Sequence, residues 1–321
     1  MESWKGFRLR YNLGVDGENK TIYENVDLDK SVYEDLFKNF IERKFVEKIE
    51  TSYEYVVSNY GDYEKFNYSA ALDHYLDLNV DPYRKITAEK NSDRHISNIL
   101  TSTYIYVCVL KIDKTENIES ILQCKRIFQE MANKCHEEMY QFTLLSALRN
   151  KINHGGTMNT STSLSPTWSV KYASSENDES ILIKTKNKRH LFFDHIVTKV
   201  EAKRILKSSH YDNVQASMPE EFYLRQAIRV YIDSLSNMHA KLRGHFTEIM
   251  DSTNDIFSRN LKKPDKYFEV SLLKNINGTV EETNMGNVPF SQVNGRQKMK
   301  APLYLQHMPL PGEDSAVADA I

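Results

Sequence analysis

The residues best suited to chemistry in this chain are Arg149, Asn150 and His154, which stand just ahead of the glycine pair Gly155 and Gly156. Asn150 and His154 are four apart, so on a helix they share a face, and the amide can fix the imidazole tautomer. A histidine at a helix C-terminus feels partial negative charge, which favours the protonated ring and suits it to proton transfer near neutral pH. Arg149 falls on an apolar stripe of Ile121, Cys124, Phe128, Met131, Cys135, Phe142, Leu145 and Ile152. A cation in such a seam must meet a carboxylate, a backbone carbonyl, a partner chain or a ligand phosphate, because an unpaired buried charge costs several kcal/mol. The arrangement is suited to proton transfer, with the group that answers Arg149 left open among these four. A plainer reading stands next to it: a basic residue in the last helical turn followed by glycine is a common cap.

The elements that must position these residues read as helices flanked by small hairpins. Phe7, Leu9, Tyr11 and Leu13 alternate with polar residues, and the turn chemistry of Val15 to Asn19 predicts a hairpin ending near Tyr23. From Val32 the apolar face Leu36, Phe40, Val56 and Tyr60 predicts a helix that Gly61 ends. The aromatic set Tyr63, Phe66, Tyr68, Tyr75 and Tyr83 then reads as interhelical packing, or as a base-stacking platform. Asn91 or Ser92 caps a helix carrying Ile96, Ile99, Leu100 and Val107, on which Arg94 and Asn98 share a face and can line the same cleft as Arg149. The short link Lys114 to Asn117 demands antiparallel neighbours, which makes the predicted helix from Asn117 to His154 the spine of a bundle. Trp168, Val170 and Tyr172, with Ile181 to Ile183 beyond a polar turn, predict an inserted hairpin. Pro219, Glu220 and Glu221 open a helix with the stripe Ile228, Tyr231, Leu235, Met238, Leu242 and Ile249. A last hairpin turns at Asn277-Gly278, and residues 312–321 read as a disordered tail.

The string Leu148-Arg149-Asn150-Lys151-Ile152-Asn153-His154 resembles the signature of the HEPN superfamily: an arginine, a polar residue directly after it, and a histidine beyond a four-residue spacer. The segment Asp93 to Leu100 looks like the partner helix of bacterial HEPN-like proteins, and the stretch from Ile228 to Leu242 is similar to the later amphipathic segment of that group. The resemblance covers roughly residues 30–155 and 220–250. It implies a small all-α bundle, usually dimeric, in which two motifs meet across the interface. It further implies a metal-independent ribonuclease of toxin or anti-phage defence systems, with Arg149 and His154 as the catalytic pair and Asn150 as the orienting residue. Family members often carry an acidic residue near the arginine, for which Asp93 and Glu138 are the candidates.

Composition sets the frame around this site. With 321 residues, 40% of them hydrophobic, the chain can bury a proper core, and a net charge of −2 assigns any RNA contact to a local patch. The most basic part runs from Lys184 through Lys186, Lys188, Arg189 and His190 to Lys199, Lys203, Arg204 and Lys207, and reads either as that patch or as a solvated surface. Cys108, Cys124 and Cys135 are odd in number and scattered among apolar positions, so they read as reduced core thiols in a cytoplasmic protein. The start of the sequence lacks a signal-like apolar run, and no apolar stretch is long enough to span a bilayer. His136 with Glu137 and Glu138 lacks a second histidine at ligand spacing and reads as a charged face, so no metal and no cofactor is expected.

The expected fold is mainly α, an antiparallel HEPN-like bundle with small β-hairpin additions. Its segments are an N-terminal hairpin at 1–27, a helical domain at 28–262 with an inserted hairpin near 164–200, and a C-terminal hairpin and tail at 263–321. The expected activity is endoribonucleolytic cleavage by attack of the ribose 2′-hydroxyl on its own phosphate. His154 then acts as acid or base and Arg149 offsets the developing charge. Arg94, Asn98, Lys151, Asn153, Lys188 and Arg189 are the candidate substrate contacts. Arg149 and His154 diverge by roughly 140° at about 100° per residue on an ideal helix. The motif therefore reads as half of a site, completed by a homodimer with a composite centre. The partners expected are RNA, a second copy of the chain, and an antitoxin or other defence-system subunit. The competing expectation is a non-catalytic HEPN-like subunit that binds RNA or protein within a larger defence complex.

Overall fold

A computed structural model describes residues 3–15, 18–26, 29–76, 82–113, 117–153, 166–171, 190–260, 269–276 and 279–286. Within them the protein is mostly helical, with seven helices and two small antiparallel sheets. The chain divides into two compact units, and the helices at 30–76, 119–138 and 224–260 contribute segments to both.

The first unit comprises residues 1–50, 112–127 and 240–301. Strands β1 (Ser3–Val15) and β2 (Glu18–Val26) form the N-terminal hairpin expected from the alternation, paired from Val15 with Glu18 to Phe7 with Val26. Strands β6 (Glu269–Ile276) and β7 (Thr279–Gly286) form the C-terminal hairpin. The two hairpins join edge to edge in the order β2-β1-β6-β7, a long-range pairing that periodicity within either segment could not reveal. Leu272 and Leu273 of β6 are buried, as are Leu36, Val46, Ile49, Ile121, Cys124, Leu242 and Phe246. Arg243 and Glu50 meet in a two-pronged ion pair, with Nε to Oε1 at 2.9 Å and Nη2 to Oε2 at 2.7 Å. Ser120 donates a hydrogen bond to Glu42.

The second unit comprises the described residues within 51–111 and 128–239 and contains the candidate site. Helix α1 (Lys30–Leu76) enters it at Thr51 and runs straight through Gly61, so the expected stop at that glycine is wrong. A mid-helix glycine costs only about 1 kcal/mol. The buried stripe Tyr53, Val56, Tyr60, Tyr63 and Asn67 continues across it and outweighs that cost. The tyrosine-rich segment up to Leu76 is therefore helix and not a connection. Helix α2 (Pro82–Val109) begins well before the expected cap, with proline in the first turn where a missing N–H is harmless, and Ser92 is a buried interior residue.

The expected single helix from Asn117 to His154 is two: α3 (Glu119–Glu138) and α4 (Tyr140–Asn153), separated at Met139. Main-chain bonding persists on both sides, from Met139 N to Cys135 O at 2.9 Å and from Thr143 N to Met139 O at 3.2 Å. The break has a local cause. Thr143 Oγ1 donates to the carbonyl of His136 at 3.0 Å, so a side chain takes a place in the helical ladder.

Helix α4 packs on α2. It also touches α5 (Lys199–Ile205) and α6 (Ser208–Val214). Thr198 and Glu201 cap α5 reciprocally, a threonine and glutamate at the spacing of a capping box. Strand β3 (Pro166–Lys171) pairs with β4 (His190–Thr198), whereas the expected partner Ile181 to Ile183 lies outside the described residues. β4 then pairs with β5 (Glu221–Tyr223), so Glu221 belongs to a strand and the following helix, α7 (Leu224–Asn260), starts later than Pro219. The whole predicted stripe of α7, from Ile228 to Ile249, is buried.

Candidate functional site

Arg149 lies near the C-terminal end of α4 and is 8% exposed. Its Nη1 donates to the hydroxyl of Tyr231 on α7 at 3.1 Å. Nε and Nη2 share the Asn150 side-chain oxygen through long contacts of 3.4 and 3.3 Å. Adjacent helical residues do not face each other, so the arginine side chain must lie back along the helix to make this contact. Both acceptors are neutral. Among the described residues no carboxylate pairs with the guanidinium, and the candidate Glu138 faces Lys134 instead, at 3.8 Å.

Asn150 is exposed, and its amide oxygen is turned towards Arg149. Asn153 Nδ2 donates to the Arg149 carbonyl at 2.8 Å and so satisfies one of the last-turn acceptors that a helix end leaves open. Lys151 is half-buried in that turn, where a cation complements the helix dipole. Arg94 and Asn98 are exposed on α2, and neither makes a hydrogen bond or ion pair among the described residues, so no contact ties them to Arg149. His154, Lys188 and Arg189 lie outside the described residues.

Of the side chains around Arg149, Thr143 was not singled out in the sequence, and Tyr231 and His136 were read only as a stripe position and as part of a charged face. Tyr231, fully buried, was legible only as one apolar position in a stripe. Its ring packs on Phe142 at 5.1 Å between centroids, and the edge of Phe142 meets His136 at 4.9 Å. Thr143 gave no signal of its own. His136 Nδ1 lies 3.3 Å from Thr143 Oγ1, whose own proton is directed to the His136 carbonyl. The threonine oxygen must therefore accept from Nδ1–H, which fixes the proton of the neutral ring on that nitrogen. Burial, with the charges of His210 and Arg149, pushes His136 down to about 4, so the ring is neutral at pH 7.

The described half of the basic segment lies on and just beyond α5. Lys199 pairs with Glu220 at 3.3 Å, while Lys203, Arg204 and Lys207 are exposed. Among the described residues no group of three His, Cys, Asp or Glu side chains is placed to hold a metal ion, and no helix is long and apolar enough to cross a membrane. Cys124 is buried, and burial raises its thiol to about 11; Cys135 is raised by the same cause. Neither is an activated nucleophile.

No family model, curated protein or solved structure matches this chain.

Proposed function

We propose that this protein is a metal-independent endoribonuclease that cleaves RNA by attack of a ribose 2′-hydroxyl on the adjacent phosphate, and that it serves as a toxin or anti-phage defence effector. The reading joins the HEPN-like motif to one observation. Arg149 is a buried cation met by a phenol and an amide oxygen and, among the described residues, by no carboxylate. A guanidinium whose hydrogen bonds are partly answered and whose charge is not is suited to a phosphate, which offers acceptors and negative charge together. Arg149 binds the scissile phosphate and offsets the charge of the transition state, one copy of His154 takes the proton of the attacking 2′-hydroxyl, the other protonates the 5′-oxygen that leaves as the P–O5′ bond breaks, and Asn150 steadies the arginine fork. Exposed Lys203, Arg204 and Lys207, on and beside a helix that packs on α4, attract the strand. The helices form a HEPN-like antiparallel bundle, and two copies of the chain complete one centre in the cytoplasm.

The test is labelled RNA incubated in EDTA with wild type and with His154→Ala, with the ends of the products then determined. The expected wild-type product carries a 2′,3′-cyclic phosphate, DNA resists, and His154→Ala folds but does not cut. A monomer with full activity would contradict the composite centre.

The burial of Arg149 against Tyr231 favours one competing reading, a non-catalytic HEPN-like subunit whose arginine only ties α4 to α7. Loss of folding in Arg149→Met, with no cleavage by wild type, would support it.

A further inference from the structure

A shallow pocket of about 240 Å³ opens in the second unit, lined by Asn133, His136 and Glu137 of α3, Thr143 of α4, and His210 and Asn213 of α6. The two imidazole rings lie 6.3 Å apart and are 28° from parallel. We propose that this pocket holds a ribose 2′-hydroxyl and its neighbouring phosphate, giving each chain its own subsite for an RNA strand; the ligand class rests on the ribonuclease reading above.

The bonding of His136 sets what the pocket accepts. With the proton fixed on Nδ1 by Thr143, Nε2 carries a bare lone pair and makes no hydrogen bond among the described residues. A bare imidazole nitrogen takes a donor, and it repels a phosphate oxygen. The same kink at Met139 that brings Thr143 onto the His136 carbonyl holds this ring in place, and Phe142 packs against it from the side. An anion belongs on the opposite wall, at His210 and the Asn213 amide. Asn133 adds NH2 donors, since its oxygen is already engaged by Gln129 Nε2 at 2.8 Å. The Glu137 carboxylate also lines the pocket and excludes the anion from its side. Burial first, and then the charges of His210 and Arg149, keep His136 neutral. A donor hydroxyl beside an anionic group is what one ribose-phosphate unit of RNA presents. The volume lies below the roughly 300–1,000 Å³ of ordinary small-molecule sites, which fits a sugar and phosphate better than a whole cofactor.

The full chain with 13C-labelled histidine is titrated with uridine 3′-monophosphate and with its 2′-deoxy counterpart, and the ring signals are followed by NMR. Saturable shifts of both His136 and His210 are expected with the ribonucleotide. The deoxy probe should bind at least about tenfold more weakly, equivalent to about 1.4 kcal/mol. His136→Phe, which keeps a ring against Phe142 and removes Nε2, should erase that difference, while His210→Ala should weaken both probes alike. Equal affinities in wild type, or shifts confined to the exposed His210 ring, would overturn the proposal. If His136→Phe does not fold, the two-probe comparison on wild type decides. RNA cleavage measured in parallel separates the two readings. Cleavage without sugar discrimination removes the pocket alone, and discrimination without cleavage removes the nuclease alone.

Discussion

Two of the three buried arginines in the second unit, each 8% exposed, are answered in opposite ways. Arg229 on α7 meets Glu64 of α1 in a two-pronged pair at 2.9 and 2.8 Å, and the Tyr60 hydroxyl completes the carboxylate at 2.8 Å. Burial alone would raise the Glu64 carboxyl, but the Arg229 hydrogen bonds reverse this and hold it below the usual range. Arg149 reaches the same helix two residues further on, at Tyr231, and finds only neutral acceptors among the described residues. One charge is closed by its counter-charge and the other is left open. An arginine placed purely for stability would resemble the first, and the proposed nuclease takes the second as kept for an anion that arrives from outside.

The sharpest way to break this contrast is to open the closed site. Glu64→Ala leaves Arg229 buried without its carboxylate and should cost about 3–5 kcal/mol in urea unfolding. Acid should act in the same direction: the stability Glu64 contributes is present above the ordinary carboxylate range and is lost as pH falls through its lowered value. At the open site the larger effect falls on activity. Arg149→Met should reduce RNA cleavage about 10²–10³-fold, the scale of a lost transition-state donor, while changing stability by no more than about 1 kcal/mol.

His136 sharpens the contrast through pH. Its folded value is lowered from 6.5 to about 4, so the unfolded chain takes up a proton first as pH falls. Stability should therefore decline between about pH 6.5 and 4, by about 1–3 kcal/mol after solvent screening. His136→Phe should flatten that limb of the pH profile. Tyr231→Phe removes one neutral acceptor from Arg149 and should cost about 0.5–1.5 kcal/mol in thermal unfolding. The smallest expected effect strengthens the closed site. A Cβ at Gly61 would meet nothing within 4 Å, so Gly61→Ala should stiffen the helix that carries Glu64 and raise stability by about 0.5–1 kcal/mol.

The helices were legible where an apolar stripe ran long enough to be periodic, as from Ile228 to Ile249, and both terminal hairpins were legible from alternation and turn residues. The union of those hairpins in one sheet was not, because nothing within Phe7 to Tyr23 names a partner at Val270. Boundaries failed where tertiary burial overrode a local signal. Gly61 reads as a stop until Tyr60 and Tyr63 are seen buried on either side of it. The break at Met139 depends on one hydroxyl finding one carbonyl, which leaves no periodic trace. Of the site, Arg149 was legible as an anomaly in an apolar seam, and the need for something to answer it followed from its charge. The group that answers it was not legible, since Tyr231 is distant in sequence and looks like an ordinary core aromatic. The helix α5 and its capping pair Thr198 and Glu201 were not read from the sequence, where that stretch stood out only for its basic residues.

The central claim is that Arg149 is an open charge kept for phosphate and not a tie between helices. Single-turnover cleavage of labelled RNA in EDTA, measured on the same preparations of wild type and Arg149→Met whose thermal unfolding is recorded, tests it most directly. The account predicts a variant that melts within a few degrees of wild type and has lost at least about 100-fold in cleavage rate. A variant that cuts as well as wild type, or a wild type that does not cut at all while Arg149→Met unfolds, would contradict it.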